Sequence, residues 1–401
     1  MNKPPTVARE PQVSAATILL LAAACGLLAA NIYYAQPLIK PIAESLGLAP
    51  QASGLIVTMT QIGYGLGLFF VVPLADLVEN RRLVLVCVAL CAGALAAAAL
   101  ATSWPAFLAC AGAIGLGSVA VQILIPLSAH LAPDATRGRV VGAVASGLMI
   151  GVMGARPVGS FIASVASWRT VFAASAVVMV VLGLVLFRKL PVRAPHIRMS
   201  YGALIVSMAR LAAATPILRL RAFYQSCLFG AFSLFWTTTP LLLAAPDYRM
   251  TQRGIALFAL AGVSGAIAAP IAGRLADRGF ARPATGAAIA LVAAAFLATM
   301  LVPQGSPLAL AVLVAAAIGV DFGVQGNFVL GLRSIFSLAP DARARLNGVY
   351  LATFFAAGAL GSAVGAWAYA KGGWPLASRI GLALPLIALA RFAYRVMFRR
   401  V

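Results

Sequence analysis

The segment RGRVVGAVASGLMIGVMGARPVGSFIASV, residues 137–165, begins with two arginines and continues as a long apolar run. Such runs dominate the chain, since 62% of its 401 residues are hydrophobic and only 10% are charged. About 20 apolar residues suffice to cross a bilayer, whereas a soluble domain of this composition would expose large apolar surfaces. We therefore predict an all-α polytopic membrane protein with twelve transmembrane helices, near 14–39, 51–72, 83–102, 105–130, 139–165, 168–188, 217–244, 254–273, 284–302, 307–332, 346–370 and 376–396.

The opening segment has a second copy later in the chain. RARLNGVYLATFFAAGALGSAVGAWAY begins at Arg343, and an ungapped alignment at an offset of 206 residues places Gly142 on Gly348. The tetrapeptide LAPD at 131–134 recurs at 338–341. Self-similarity at a fixed offset indicates an internal repeat. The sequence thus predicts two six-helix halves related by duplication.

The repeat also predicts the domain organisation. An N-terminal tail (1–13) precedes the first half (14–190), and a basic linker (191–216) leads to the second half (217–401). The linker is too charged and too rich in proline to cross a membrane. Its middle, 201–214, is predicted to form a helix that lies on the membrane surface.

The basic residues fall mainly on one side of the predicted spans. With both termini assigned to the cytoplasm, 23 of the 30 Lys and Arg lie on the cytoplasmic side, six lie outside, and Arg156 lies within a span. An excess of Lys and Arg in cytoplasmic loops is the usual determinant of membrane orientation. The net charge of +21 is therefore explained by topology, and nucleic-acid binding is not expected.

Two loops carry related motifs, PLADLVENRR from Pro73 and GRLADRGFAR from Gly273. With six plus six helices and a basic central loop, they make the whole chain resemble the major facilitator superfamily. NIYYAQPL (31–38) and FSLFWTT (232–238) further resemble bacterial twelve-span exporters of drugs, sugars and nucleosides. Span five departs from the usual proton-antiporter motif, because Arg156 stands in place of its first glycine.

The resemblance implies a secondary transporter of the bacterial inner membrane that rocks one half against the other around a central site. It implies a small-molecule substrate, the lipid bilayer as surroundings, and the proton gradient rather than a cofactor as energy source. We expect a monomer without a metal site. An enzyme is not expected, because the two histidines, His130 and His196, lie at loops without a Ser-His-Asp or metal-ligand cluster.

One acid among the nine, Asp321, lies at the middle of a predicted span. An ionisable side chain at that depth is costly and is a functional candidate by default. Arg156 is the one basic residue at comparable depth, in span five. We predict that these two residues pair in one transport state, separate when Asp321 takes up a proton, and so couple transport to protons. The alternatives are a permanent structural ion pair, or an Arg156 that binds carbonyl oxygens beside Pro157.

Aromatic and amide side chains near prolines of spans one and seven are candidates for substrate binding. Pro37 and Pro240 match in the repeat, and helix interruptions at matching positions mark binding sites in transporters. Asn31 and Tyr34 share one face of span one, whereas Tyr33 and Gln36 point elsewhere. These side chains could instead form an outer aromatic belt and interhelical hydrogen bonds. The full candidate set comprises Asn31, Tyr34, Gln122, Phe232, Trp236 and Gln325.

Charged residues in the loops are predicted to latch the cytoplasmic side in an outward-open state, since carboxylates there can meet arginines or helix N-termini. The alternative is that the arginines only set the topology. The predicted gate comprises Asp76, Arg81, Arg82, Arg137, Arg139, Arg274, Asp277, Arg278, Arg343 and Arg345.

The sequence therefore predicts proton-coupled export of a small organic or amphiphilic molecule. Uptake or facilitated diffusion, with Asp321 in substrate recognition, remains an alternative. A sensor is a third class, but sensors usually carry a soluble output domain, and the longest loop here has about 30 residues.

Overall fold

The protein is described by a computed structural model that covers residues 14–133, 136–193, 199–336, 338 and 343–398, without the side chains of residues 343 and 344. The predicted tail, 1–13, lies outside the described residues. Spans one to six are Ala15–Leu46, Pro50–Asp76, Asn80–Leu100, Trp104–Leu131, Arg137–Val165 and Trp168–Lys189. Spans seven to ten are Pro216–Leu243, Gln252–Asp277, Ala281–Met300 and Pro307–Phe336.

Spans eleven and twelve form one helical stretch, Arg343–Phe398, that breaks at two glycines. Gly373 has a φ of 63°, which the absence of a Cβ atom makes accessible. A separate helix, Tyr201–Ala214, lies in the linker and begins at Ser200, whose hydroxyl accepts a hydrogen bond from the Ala203 amide. We call the end of the bundle that carries this helix the linker side, and the opposite end the far side. Within the described residues, the prediction of an all-α bundle of twelve spans is confirmed.

The packing of the spans shows the duplication directly. In the first half, span one packs on span five, span two on span four, and span three on span six. In the second half, span seven packs on span eleven, span eight on span ten, and span nine on span twelve. The halves meet where span two contacts span eleven and where span five contacts span eight. Each of these pairings has its counterpart six spans along the chain.

The helix interruptions match the prolines only in part. Span one tightens into a 3₁₀ turn at Gln36–Leu38, as Pro37 suggests, but then continues to Leu46 before Gly47, with a φ of 67°, ends it. Pro240 remains inside the helix of span seven. Span eight contains a 3₁₀ turn, Leu260–Ser264, that includes no proline. Neighbouring helices can re-satisfy a backbone group freed by proline, so a proline alone does not place the break.

Close approach of spans one and five depends on glycine. A Cβ atom on Gly151 would lie 2.0 Å from the carbonyl oxygen of Gly26, and one on Gly26 would lie 2.6 Å from that of Gly147. Small residues are the usual means by which membrane helices approach closely. The contact therefore fixes span five, and with it Arg156, against span one.

We predict that Gly151→Ala destabilises the protein by about 1–3 kcal/mol, because overpacking of a tight contact costs that much. Thermal unfolding of the detergent-solubilised protein measures the effect as a lower Tm. Gly154→Ala is the matched control on the same helix, since a Cβ atom there would meet nothing within 4 Å. Equal Tm values for the two variants would contradict the packing argument.

Candidate functional site

Arg156 and Asp321 form a buried ion pair between the two halves. The Arg156 Nη1 atom lies 3.7 Å from Asp321 Oδ1, and the side chains are 1% and 2% exposed. Arg156 belongs to span five of the first half and Asp321 to span ten of the second. Charges at this separation attract strongly when water is excluded, but their desolvation costs several kcal/mol per ion. Such a pair needs further hydrogen bonds to persist.

Trp236 of span seven supplies one of these hydrogen bonds. Its indole Nε1–H donates to Asp321 Oδ2 over 2.7 Å, so each carboxylate oxygen has a partner. The Trp236 ring also lies under the Arg156 guanidinium, whose Cζ atom is 4.2 Å from the ring centroid. One tryptophan thus contacts both members of the pair.

The surroundings of Arg156 are aromatic. The guanidinium lies over the rings of Tyr33 and Phe232 at 5.3 and 4.9 Å, and its Nε–H donates to Gln36 Oε1 over 2.7 Å. Rings within about 6 Å attract a cation, more strongly when water is excluded. Arg156 therefore interacts with side chains rather than with the carbonyl oxygens beside Pro157 that the sequence left as an alternative.

The 3₁₀ turn of span eight covers the pair at close range. A Cβ atom on Gly262 would lie 3.0 Å from a Trp236 ring carbon, 3.1 Å from Arg156 Nη1 and 3.4 Å from Asp321 Oδ1. On the far side of this turn, Ser160 Oγ donates to Gln252. It lies 2.8 Å from the Gln252 side-chain Oε1 and 2.9 Å from the Gln252 backbone carbonyl oxygen. Spans five and eight are thus closed against each other above the pair.

A small cavity lies immediately below the pair, toward the linker side. Val152 and Met149 line it from span five, and both precede Arg156 on a helix that starts at the linker side. Its volume of about 90 Å³ suits a few water molecules, whereas sites for drug-sized ligands have roughly 300–1,000 Å³. The polar lining residues are Tyr33, Tyr64, Gln122, Gln225 and Gln325, and the aromatic ones also include Phe229, Phe328, Phe354 and Phe355.

Four of the six predicted binding residues lie at the cavity or at the pair. Gln122 and Gln325 line the cavity, and Phe232 and Trp236 contact Arg156. Gln122 donates to the Tyr64 hydroxyl over 3.1 Å and accepts from Asn347 of span eleven at 3.5 Å. Its amide therefore connects the two halves across the cavity.

The other two predicted residues lie elsewhere, because the two faces of span one are exchanged relative to the prediction. Asn31 accepts a hydrogen bond from Ser175 of span six and donates weakly to a cysteine of span three. Tyr34 lines an outer groove between spans one and five. Tyr33 and Gln36 occupy the site instead. They are three residues apart and therefore share a helix face, and the repeat matches Tyr33 to Trp236.

Most contacts of the predicted gate residues lie within one half or with the linker, but Asp76 of the first half lies within electrostatic reach of Arg345 of the second half. Asp277 forms an exposed ion pair with Arg333 of span ten, which the sequence did not single out. Arg81 binds the Phe187 carbonyl and lies over its ring, and Arg137 donates to the Ala129 carbonyl.

Arg345 donates to Ser207 of the linker helix. The Arg343 side chain lies outside the described residues. A latch between the halves in another state stays a prediction. The remaining predicted members occupy linker-side helix ends, with Asp76 half-buried and Arg82, Arg139, Arg274 and Arg278 exposed.

Sequence similarity to known proteins assigns the chain to a family. The sequence profile described as "Major Facilitator Superfamily" matches residues 19–329. The uncharacterized transporter YgaY of Escherichia coli O157:H7 is 37% identical over 378 residues, which cover 94% of this chain and 95% of that protein. The probable transporter SCO4007 of Streptomyces coelicolor is 35% identical over 378 residues, which cover 92% of this chain and 87% of that protein. The chain belongs to the major facilitator superfamily of transporters.

A solved structure shows the same fold. The nucleoside transporter NupG superposes with a TM-score of 0.77 at 16% sequence identity, covering 95% of this chain and 100% of that one. The prediction of a major facilitator fold is thereby confirmed.

We predict that the pair behaves non-additively when its members are replaced. Arg156→Met or Asp321→Asn alone leaves one buried charge uncompensated, which costs about 3–5 kcal/mol, whereas the double variant removes both charges. Tm values of the four proteins in detergent measure the coupling. We expect the double variant to lose less Tm than the two single variants lose together. Additive losses would contradict a direct interaction.

Proposed function

We propose that this protein is a proton-coupled secondary transporter that exports a small organic or amphiphilic molecule by alternating access. The observation that carries the proposal is the buried Arg156–Asp321 pair, which joins the two halves beside the cavity. Transporters of this kind expose a central site to each side in turn by rocking one half against the other. A charge that can be neutralised at the contact between the halves can bias that movement.

A proton on Asp321 removes the negative charge that opposes Arg156. The guanidinium then still contacts Gln36 and Tyr33, which belong to its own half, but it loses its ionic partner in the other half. Because an unpaired buried charge is costly, the closed contact between spans five and eight becomes less favourable. Protonation therefore favours opening on the far side, and release of the proton favours the closed arrangement.

The alternative of uptake or facilitated diffusion assigns Asp321 to substrate recognition. The hydrogen bond from Trp236 and the ion pair with Arg156 occupy both of its oxygens. A substrate would have to displace one of these partners. The geometry thus favours proton coupling over direct recognition.

The cavity lining favours a neutral solute with an aromatic or apolar part. The side chains that line it are aromatic rings, aliphatic groups and the amides of Gln122, Gln225 and Gln325. Rings supply apolar contact area, while amides supply both donors and acceptors. The cavity must widen before such a solute can enter.

The direction of transport rests on orientation and on relatives. The excess of Lys and Arg assigns the linker side to the cytoplasm, so the closed far side faces outward. A purine ribonucleoside efflux pump, NepI of Salmonella paratyphi A, is 27% identical over 157 residues, 38% of this chain and 39% of that protein. Both points support export across the inner membrane, with both termini in the cytoplasm.

Proton movement in proteoliposomes tests the proposal. We expect wild-type protein to move protons when purine ribonucleosides or chloramphenicol, the compounds named for its relatives, are supplied with a pH gradient. Asp321→Asn cannot take up the proton and should abolish the substrate-dependent signal of a pH-sensitive dye. Asp247→Asn is the matched control, because Asp247 is exposed on the far side and belongs neither to the cavity lining nor to the predicted gate.

Two outcomes are decisive. Loss of proton movement in Asp321→Asn, with activity retained in Asp247→Asn, supports the assignment. Substrate-dependent proton movement in Asp321→Asn at the wild-type level refutes it.

A further inference from the structure

A second cavity lies on the linker side of the second half, away from the Arg156–Asp321 pair. It has a volume of about 430 Å³ and opens between the ends of spans seven, nine, ten and twelve. Three arginines line it, one from each of spans seven, nine and twelve: Arg221, Arg282 and Arg395. We refer to these three residues as the arginine cluster.

The arginine cluster brings positive groups close together. Arg282 donates a hydrogen bond to the backbone carbonyl of Arg395 over 3.4 Å, which places two of the basic residues side by side. Arg221, Arg282, Arg395 and Arg391 all lie within electrostatic reach of the same buried ring, Tyr224. Like charges repel at such distances, and no carboxylate is among the described residues that line the cavity. The cluster lacks a counter-charge from these residues.

Arg221 is held in position by a neutral group. Its Nη1–H donates to Thr285 Oγ1 over 2.8 Å, and that hydroxyl in turn donates to the Ala281 carbonyl over 2.8 Å. This contact uses one of the five N–H donors of the guanidinium. The planar arrangement of the other donors matches the oxygens of a phosphate group.

The helix termini add to the positive potential. Spans seven and nine both begin on the linker side, at Pro216 and Ala281, so the positive ends of two helix dipoles point toward this region. Anions are favoured at such ends.

Beside the polar residues Tyr224, Thr285 and Ser334, the remaining lining of the cavity is apolar. Ile217, Val396 and Leu338 line the cavity and are 43%, 43% and 38% exposed. An occupant therefore meets both guanidinium groups and aliphatic side chains. This combination fits an amphiphile with an anionic head.

We propose that the arginine cluster binds the phosphate group of an anionic membrane phospholipid at the linker-side ends of these spans. Basic pockets between membrane helices on the cytoplasmic side are suited to anionic head groups. The bound lipid neutralises the cluster and holds the linker-side ends of spans seven, nine and twelve together. The site is independent of the proton-coupling proposal, because it involves neither Arg156 nor Asp321.

Native mass spectrometry and thermal unfolding of the full-length protein in detergent test the site. The probes are phosphatidylglycerol, phosphatidylethanolamine with the same acyl chains, and inorganic phosphate. We expect phosphatidylglycerol to bind and to raise the Tm, whereas the other two should do so weakly or not at all.

The variants are Arg282→Gln, Arg395→Gln and the combination of both, which avoid the buried Arg221. A basic residue near anionic lipid contributes about 1 kcal/mol, which corresponds to roughly fivefold in affinity. We expect roughly fivefold weaker phosphatidylglycerol binding for each single variant and about 25-fold for the double variant. The matched control is Arg210→Gln, an exposed arginine of the linker helix outside the cavity, which should bind as the wild type does.

Several outcomes would overturn the proposal. Equal Tm shifts with phosphatidylglycerol and phosphatidylethanolamine would remove the role of head-group charge. An equal shift with inorganic phosphate would mean that the site takes free phosphate rather than lipid. If Arg210→Gln weakened phosphatidylglycerol binding as much as the double variant does, the lipid would be attracted to the whole basic surface and not to a defined site.

Discussion

A guanidinium and a carboxylate that face each other without water, one from each half of the molecule, impose the main constraint on this structure. Neither Arg156 nor Asp321 can remain charged at 1% and 2% exposure without partners. Trp236, Gln36 and the aromatic rings around Arg156 supply them, and they come from spans one and seven. Four spans are thus positioned around two charges. Any change in the charge of Asp321 alters an interaction between the halves.

Two of the contacts between the halves differ in chemistry although they are related by the duplication. Where span two meets span eleven, the hydroxyls of Thr58 and Ser362 lie 2.7 Å apart, and Thr58 also donates to the Ala359 carbonyl. Those groups carry no charge that a proton could change. The contact of span five with spans eight and ten contains the ion pair. The duplication therefore provides two similar contacts, and the second contains an ion pair.

Much of the fold follows from the sequence, whereas the contents of the site follow only in part. Long apolar blocks predict the spans, and a constant offset between similar segments predicts the repeat. Both signals can be read directly from the sequence. Asp321 and Arg156 stand out because charge is rare at that depth. The sequence singled out Asn31 and Tyr34 on span one, whereas Tyr33 and Gln36 contact Arg156. Only packing decides which side of a helix meets a given residue. Arg333 was missed since an arginine at a helix end is common and its partner is 56 residues away.

The distance between the two halves at the far side tests the central claim most directly. Spin labels at Thr102→Cys and Leu301→Cys occupy exposed positions beside spans three and nine, one in each half. Double electron–electron resonance can then compare the wild type with Asp321→Asn at neutral pH, and the wild type at neutral and acidic pH. If the ion pair holds the far side closed, both acidification and Asp321→Asn increase the population of longer distances. Identical distance distributions in all three samples would contradict the account.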